Sequence, residues 1–297
     1  MSDGRVCVFG EVLFDHFPDG RRVLGGAPFN VAWHLQAFGL APHFISRVGT
    51  DAEGDEVRAA MRDWGMDQGG LQSDAERATG RVSIRFEDGE PVYDIVDNCA
   101  YDAIDGAAAT ASTAGDCGLL YHGSLALRNA TSRAALAQLR QAHPNSVFVD
   151  VNLRAPWWQR ESVIELLSGA NWVKLNRDEL NQLGPAAASP REQAEAMLRT
   201  HRLDGLIVTL GADGAELLTA DGLYLRASPQ RGTEVVDTVG AGDALASVMI
   251  LGLRHDWPLE LTLERAQAFA SAVVGQRGAT ISQPAFYRTF DEQWRTA

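Results

Sequence analysis

Between residues 117 and about 210, short apolar runs alternate with helical stretches, and this alternation limits the fold more than any other feature of the chain. "CGLLYHGS", "SVFVDVN", "ANWVKLN" and "GLIVTLG" read as strands. A helix falls between the first two at about 131–142, and "RDELNQLG" follows the third directly. "SPREQAEAMLRTH" opens with a serine cap, a proline at the first helical position and Glu192 at capping-box spacing. Strand and helix in turn build βαβ units, so the spacing predicts an α/β fold with a doubly wound, mostly parallel sheet and helices on both faces.

The flanking segments extend the pattern. "VCVFG" reads as a buried first strand, followed by Glu11 and Asp15. "GGAPFNVAWHLQAFG" reads as a glycine turn and a helix: Pro28 suits its first turn, Val31, Leu35 and Phe38 form a stripe, and Gly39 closes it. After "VVDTVGAGD" come two apolar helices, with Ala266, Phe269, Ala270, Val273 and Val274 sharing a face of the second. "RVSIRFEDGEPVYDIV" is different, because Val82, Ile84 and Phe86 alternate with polar residues and "DG" at 88–89 signals a hairpin turn. A two-stranded hairpin is marginal alone, so it needs a sheet, the main domain or a second subunit to cover it. An alanine-rich connector follows near 105–115. The expected organisation is one domain over 1–297 with a small β lid at about 80–100, joined by strands from 10–25. An uncovered apolar face on the lid suggests a homodimer.

Ligands of open α/β sheets bind outside the carboxyl ends of the strands. The polar residues fall there: Glu11 and Asp15, Asp150 and Asn152, Asn176, Thr209 and Gly211, and Asp237 after "EVV". Composition narrows the ligand. With 26 basic and 39 acidic residues the formal charge is −13, which argues against nucleic acid, whose backbone needs a basic face. Cys7, Cys99 and Cys117 show no C-x-x-C spacing, which argues against a disulfide scaffold or structural zinc and for a reducing cytoplasm. The start of the chain lacks a signal-peptide layout and no apolar run approaches a membrane span. Lys174 is the only lysine, an imbalance that arginine-rich codon usage explains.

"DTVGAGDA", residues 237–244, has two readings. It lacks G-x-x-x-x-G-K-[ST] and the spacing of a dinucleotide fingerprint. As plain structure it is a strand-to-helix turn with Asp243 favoured by the helix dipole. As chemistry, Gly240, Ala241 and Gly242 leave three amides free to converge on an anion at a helix N-terminus. A carboxylate beside that anion is electrostatically awkward unless an alcohol nucleophile needs a base there.

At these residues the sequence resembles the ribokinase-like (PfkB) sugar and nucleoside kinases. "DTVGAGDA" is similar to their second signature, and "GGAPFNVAWHLQAFG" with "LAPHFISRVG" to their first. "KLNRDEL" supplies N-x-x-E as Asn176 and Glu179, and "VTLGADGAEL" resembles the nucleotide loop. The resemblance implies Asp243 as catalytic base, with Gly240, Ala241 and Gly242 as the anion hole for the γ-phosphate of ATP. It implies sugar contacts at Asp15, Gly26 and Asn30, and nucleotide contacts at Lys174, Asn176, Thr209, Gly211 and Gly214. Lys174 could equally be a helix-covering or solvated residue. Glu179 would meet Mg²⁺ through water, and Asp237, Val239, Val273, Gln276, Gly278 and Ser282 match positions around K⁺. Asp237 could instead simply cap the turn.

"DVNLRAPWW" resembles the D-x-N-x-R-x-x-W run of fructokinases and 2-keto-3-deoxygluconate kinases, and "GEPVYDIVDNCAYDAI" the hairpin region of bacterial fructokinases. The expectation is a fructokinase, with Arg154 serving either the phosphate or the carboxylate of an acid sugar. The alternatives are a 2-keto-3-deoxygluconate kinase, a ribose or nucleoside kinase, and, more remotely, a silent sugar-binding regulator.

Overall fold

A computed structural model describes residues 4–87, 90–142, 146–229, 232 and 235–296. Its strands are β1 (Val6–Phe9), β2 (Leu13–His16), β3 (Arg22–Gly25), β4 (His43–Gly49), β5 (Leu71–Asp74), β6 (Gly80–Glu87), β7 (Glu90–Ile95), β8 (Leu119–His122), β9 (Ser146–Asp150), β10 (Trp172–Asn176), β11 (Gly205–Thr209), β12 (Ala215–Thr219) and β13 (Tyr224–Ala227). Its helices are α1 (Ala27–Ala37), α2 (Ala52–Asp63), α3 (Gly106–Ser112), α4 (Ala130–Ala142), α5 (Arg160–Leu167), α6 (Arg177–Leu183), α7 (Pro190–His201), α8 (Ala241–Arg254), α9 (Leu259–Val274) and α10 (Pro284–Thr296).

Nine strands form the main sheet in the order β13-β12-β11-β10-β9-β8-β1-β4-β5. The pairs from β11 across to β5 are parallel, whereas β12 and β13 add an antiparallel edge. Successive side chains of a strand point to opposite faces, and here both faces are buried. Val6 and Val8 enter the core that holds Phe29, Leu245 and Phe269, while Cys7 and Phe9 enter the one under Leu136 and Leu139. The chain leaves β1 first toward β4 and β5, then returns to β8 on the other side. That reversal opens a crevice at the carboxyl end of β1.

The second sheet has the order β3-β2-β6-β7. Leu13, Val82, Ile84 and Ile95 on one of its faces pack with Cys99, Tyr101, Leu125 and Ala126. The apolar face that suggested a second subunit is therefore covered within the chain. The "DG" at 88–89 and the side chain of Phe86 lie outside the described residues.

Two local readings are corrected, and one helix is added. The alanine-rich connector contains α3, which Asp105 caps by accepting from Ala108 N at 2.7 Å. The "EVV" strand does not form among the described residues: Val235 and Val236 are exposed, and both Val236 N and Asp237 N donate to Val274 O. Asp237 thus sits in a loop, not at a strand end. A third helix, α10, follows the two apolar ones and packs Phe286, Tyr287 and Phe290 around Phe269.

Candidate active site

Asp243 lies in the first turn of α8, and burial of every residue from Ala244 to Leu253 fixes that helix and hence its N-terminus. Gly240 supplies the N-cap at φ 82°, and a Cβ there would overlap Ala279. Gly242 packs close to a cation, since a Cβ would sit 3.2 Å from Lys174 Nζ. The first amides of a helix have no intrahelical partner. Ala241 N makes only a long 3.4 Å bond to Thr238 O. The turn is therefore bare, with its donors available to an anion.

Asn30 stands in the first turn of α1, where Gly26 is the N-cap with φ 108° and no room for a Cβ against Glu11 O. Its Nδ2 donates to Asp243 Oδ2 at 2.7 Å, and its Oδ1 is buried without a hydrogen-bond partner. The residue expected at the sugar thus also touches the expected base. Burial pushes Asp243 up to about 6; Asp150 adds to the rise, and the Asn30 bond, Lys174 and Arg154 oppose it.

Lys174 is not a solvated lysine. It is buried, and its Nζ donates to Asp150 Oδ1 and Oδ2 at 2.8 and 2.9 Å. Burial would lower its pKa, but the facing carboxylate outweighs this and raises it. Tyr121 donates to Asp150 Oδ2 at 3.3 Å.

Two further carboxyl groups feel the same surroundings. Burial pushes Glu11 up to about 7 and Asp15 up to about 6. Arg154 opposes the rise at Glu11, Asp15 and Asp243 alike, although it is exposed and its hydrogen bond goes to Leu153 O. Glu11 Oε2 and Tyr101 Oη are buried without partners. Buried polar groups left without partners suit a ligand with several hydroxyls.

Asn176 and Glu179 form a capping box at the start of α6. Glu179 Oε2 accepts from Asn176 N at 2.8 Å, and Oε1 from Leu153 N at 2.7 Å. Both oxygens are engaged, which leaves their remaining lone pairs for water. Thr209 ends β11, Gly211 follows with φ 59°, and Gly214 has φ 95° with no room for a Cβ beside Ala227 O. Asp237 does cap its turn, accepting from Val239 N at 3.0 Å, and it also accepts from Gly278 N at 3.2 Å. It thereby joins two of the segments expected around K⁺, and Gln276 N donates to Val273 O in the second. Among the described residues no group of three or more His, Cys, Asp or Glu could hold a metal ion, and no helix is long and apolar enough to cross a membrane.

Sequence reasoning placed Glu11 and Asp150 at strand ends but gave them no role, and it did not single out Tyr121. The usable signal was an acid directly after an apolar run; their partners lie too far along the chain to be seen.

A bare helix N-terminus with a carboxyl beside it, set at a sheet crevice, fits the transfer of a phosphoryl group to an alcohol. The pfkB family carbohydrate kinase pattern matches residues 5–285, and the chain belongs to that family. It is 30% identical to aminoimidazole riboside kinase from Salmonella typhimurium, over 94% of this chain and 92% of the relative. It is 26% identical to fructokinase-1 from Oryza sativa, over 94% of each. Fructokinase from Xylella fastidiosa, solved with bound ATP, superposes with a TM-score of 0.86 at 21% identity, covering 98% of this chain and 99% of that one. The fold is therefore ribokinase-like, and the protein is a phosphotransferase with an alcohol group as acceptor.

Proposed function

We propose that this chain is an ATP-dependent fructokinase in which Asp243 is the general base. One observation carries the reading: a carboxyl pushed up to about 6 stands in the helical turn that the bare Gly240–Gly242 segment opens. ATP and Mg²⁺, when bound, supply the γ-phosphoryl group and the charge that neutralises its oxygens. The residues fit them: the turn offers amides to the phosphates, and Glu179, with its oxygens already on amides, fits a water-mediated contact to the ion.

The sugar's primary hydroxyl gives its proton to Asp243 as its oxygen bonds to the γ-phosphorus, and the bond from that phosphorus to the ADP oxygen breaks. Asn30 holds the Asp243 carboxylate in place meanwhile. Asp15 and the Gly26 turn orient the sugar. Asn176, Thr209, Gly211 and Gly214 flank the nucleotide. The β3-β2-β6-β7 sheet closes over the sugar as a lid and excludes water, which limits wasteful hydrolysis of ATP. K⁺ would be held by backbone carbonyls of the segments that Asp237 joins, where it would add positive charge near the 240–242 turn. Three free, buried cysteines support a cytoplasmic location.

Glu11, Asp15 and Asp243 already gather three carboxyl groups here against Arg154 and the Asp150-paired Lys174. A neutral sugar adds no further negative charge, whereas an acid sugar does. ADP release from ATP across fructose, ribose, aminoimidazole riboside and 2-keto-3-deoxygluconate, with and without K⁺, tests this directly. Fructose should give the highest kcat/KM. A preference for 2-keto-3-deoxygluconate that Arg154→Ala removes would transfer the assignment to the acid sugar, and no turnover with any sugar would leave a binding protein.

A further inference from the structure

Asp150 ends β9 and Lys174 lies opposite it in β10, so the two side chains leave the same face of the sheet side by side. Their contact at 2.8 and 2.9 Å is bidentate and buried, and Tyr121 on β8 donates to the same carboxylate. Desolvation largely offsets the attraction in such a pair, so stability alone is a weak reason for it. Its position is more telling. The Lys174 ammonium lies against Gly242, whose Cβ would be 3.2 Å away, and the next residue is Asp243.

We propose that the buried Asp150–Lys174 pair, lying against the 240–242 turn, is a charge pair that tunes the base of phosphoryl transfer, its two members acting on Asp243 in opposite directions. This rests on Asp243 being the base. The groups that bear on Asp243 are Asn30 from α1, Asp150 from β9, Lys174 from β10, Arg154 after β9, Glu11 after β1 and Tyr121 from β8. After burial, Asp150 raises Asp243, whereas Asn30, Lys174 and Arg154 lower it. The two members of the pair therefore pull in opposite directions. Tyr121 stays protonated, since burial and Asp150 push its pKa well up, and its hydroxyl steadies the Asp150 carboxylate.

The test is the pH dependence of kcat/KM for the sugar in wild type, Asp150→Asn, Lys174→Met and the double variant. The wild-type acid limb should lie near pH 6. Asp150→Asn should move it down and Lys174→Met up, each by about one pH unit, a tenfold change in proton affinity. The double variant should return the limb toward wild type and lower kcat by at least ~10-fold, the scale of losing a preorganised cation. It leaves no unpaired buried charge and so should fold even if a single variant does not. Gly242→Ala provides an independent arm: its methyl pushes the ammonium away and should also move the limb up. Limbs that stay at the wild-type midpoint in every folded variant, or single variants that move together, would overturn the role of the pair. A wild-type profile with no acid limb near pH 6 would instead remove the base assignment beneath it.

Discussion

Asn30 and Asp243 stand 213 residues apart in the chain and are joined by a 2.7 Å hydrogen bond from Nδ2 to Oδ2. The bond ties the N-termini of α1 and α8, the two helices that open onto the crevice. It also favours the ionised form of a carboxyl that burial pushes toward the neutral one. Asn30→Leu should therefore raise the acid limb of kcat/KM by on the order of one pH unit, equivalent to about 1.4 kcal/mol. A pH profile that stays in place while the sugar KM rises would assign Asn30 to the sugar alone.

Glu11 is the second pH-dependent group. Its folded pKa, about 7, lies above its ordinary 4.5, so the folded state binds its proton more tightly. Stability from that proton is present below about 4.5 and is lost as pH rises toward 7. Glu11→Gln removes this loss and should stabilise the protein at pH 8 by on the order of 1–3 kcal/mol, with little difference at pH 4.5. Urea unfolding at the two pH values measures it. A variant less stable than wild type at pH 8 would contradict the account of a buried, desolvated carboxyl.

Arg128 and Asp102 secure the segment beneath the lid. Arg128 donates through Nε and Nη2 to the two Asp102 oxygens, both at 2.7 Å, with side-chain exposures of 4% and 1%. Arg128 also lies 4.4 Å from the centroid of the Trp157 ring. Arg128→Met leaves a buried carboxylate without its partner and should cost about 3–5 kcal/mol. Chemical denaturation should show that loss, with Asp102→Asn in the same background recovering part of it. A loss below about 1 kcal/mol would mean that the pair behaves like a surface bridge.

Lid closure is tested by hydrogen exchange. Fructose should slow the amides of 80–87 and 90–95, because closure covers strands that otherwise sit at the edge of the fold. Equal exchange with and without sugar would make this sheet a fixed element.

The parts of this protein that could be read from its sequence are those encoded locally. Ser189 caps α7 by accepting from Glu192 N, as the capping-box spacing predicted. The apolar runs gave the parallel strands because both faces of each are buried. The antiparallel edge β12-β13 was not read, although Asp221-Gly222 between "AELLT" and "YLRA" is the same turn signal as the "DG" at 88–89, with Gly222 at φ 91°. "EVV" was misread because two adjacent valines can also belong to an exposed loop, as Val235 and Val236 do. Asp243 was visible in a dense eight-residue motif. The Asp150–Lys174 pair and the Asn30 bond were not, because cross-strand and helix-to-helix contacts between distant residues leave no local trace.

The central claim is that Asp243 takes the proton of the sugar hydroxyl. Turnover of ATP and fructose by Asp243→Asn, beside ATP binding by the same folded variant, tests it most directly. The account predicts a kcat at least ~10²-fold lower, the usual scale for a general base, with ATP affinity little changed. If Asp243 were only a partner of the helix dipole, its loss would cost at most about 1 kcal/mol of stability and leave turnover near normal. Near-normal kcat in the folded variant would contradict the account.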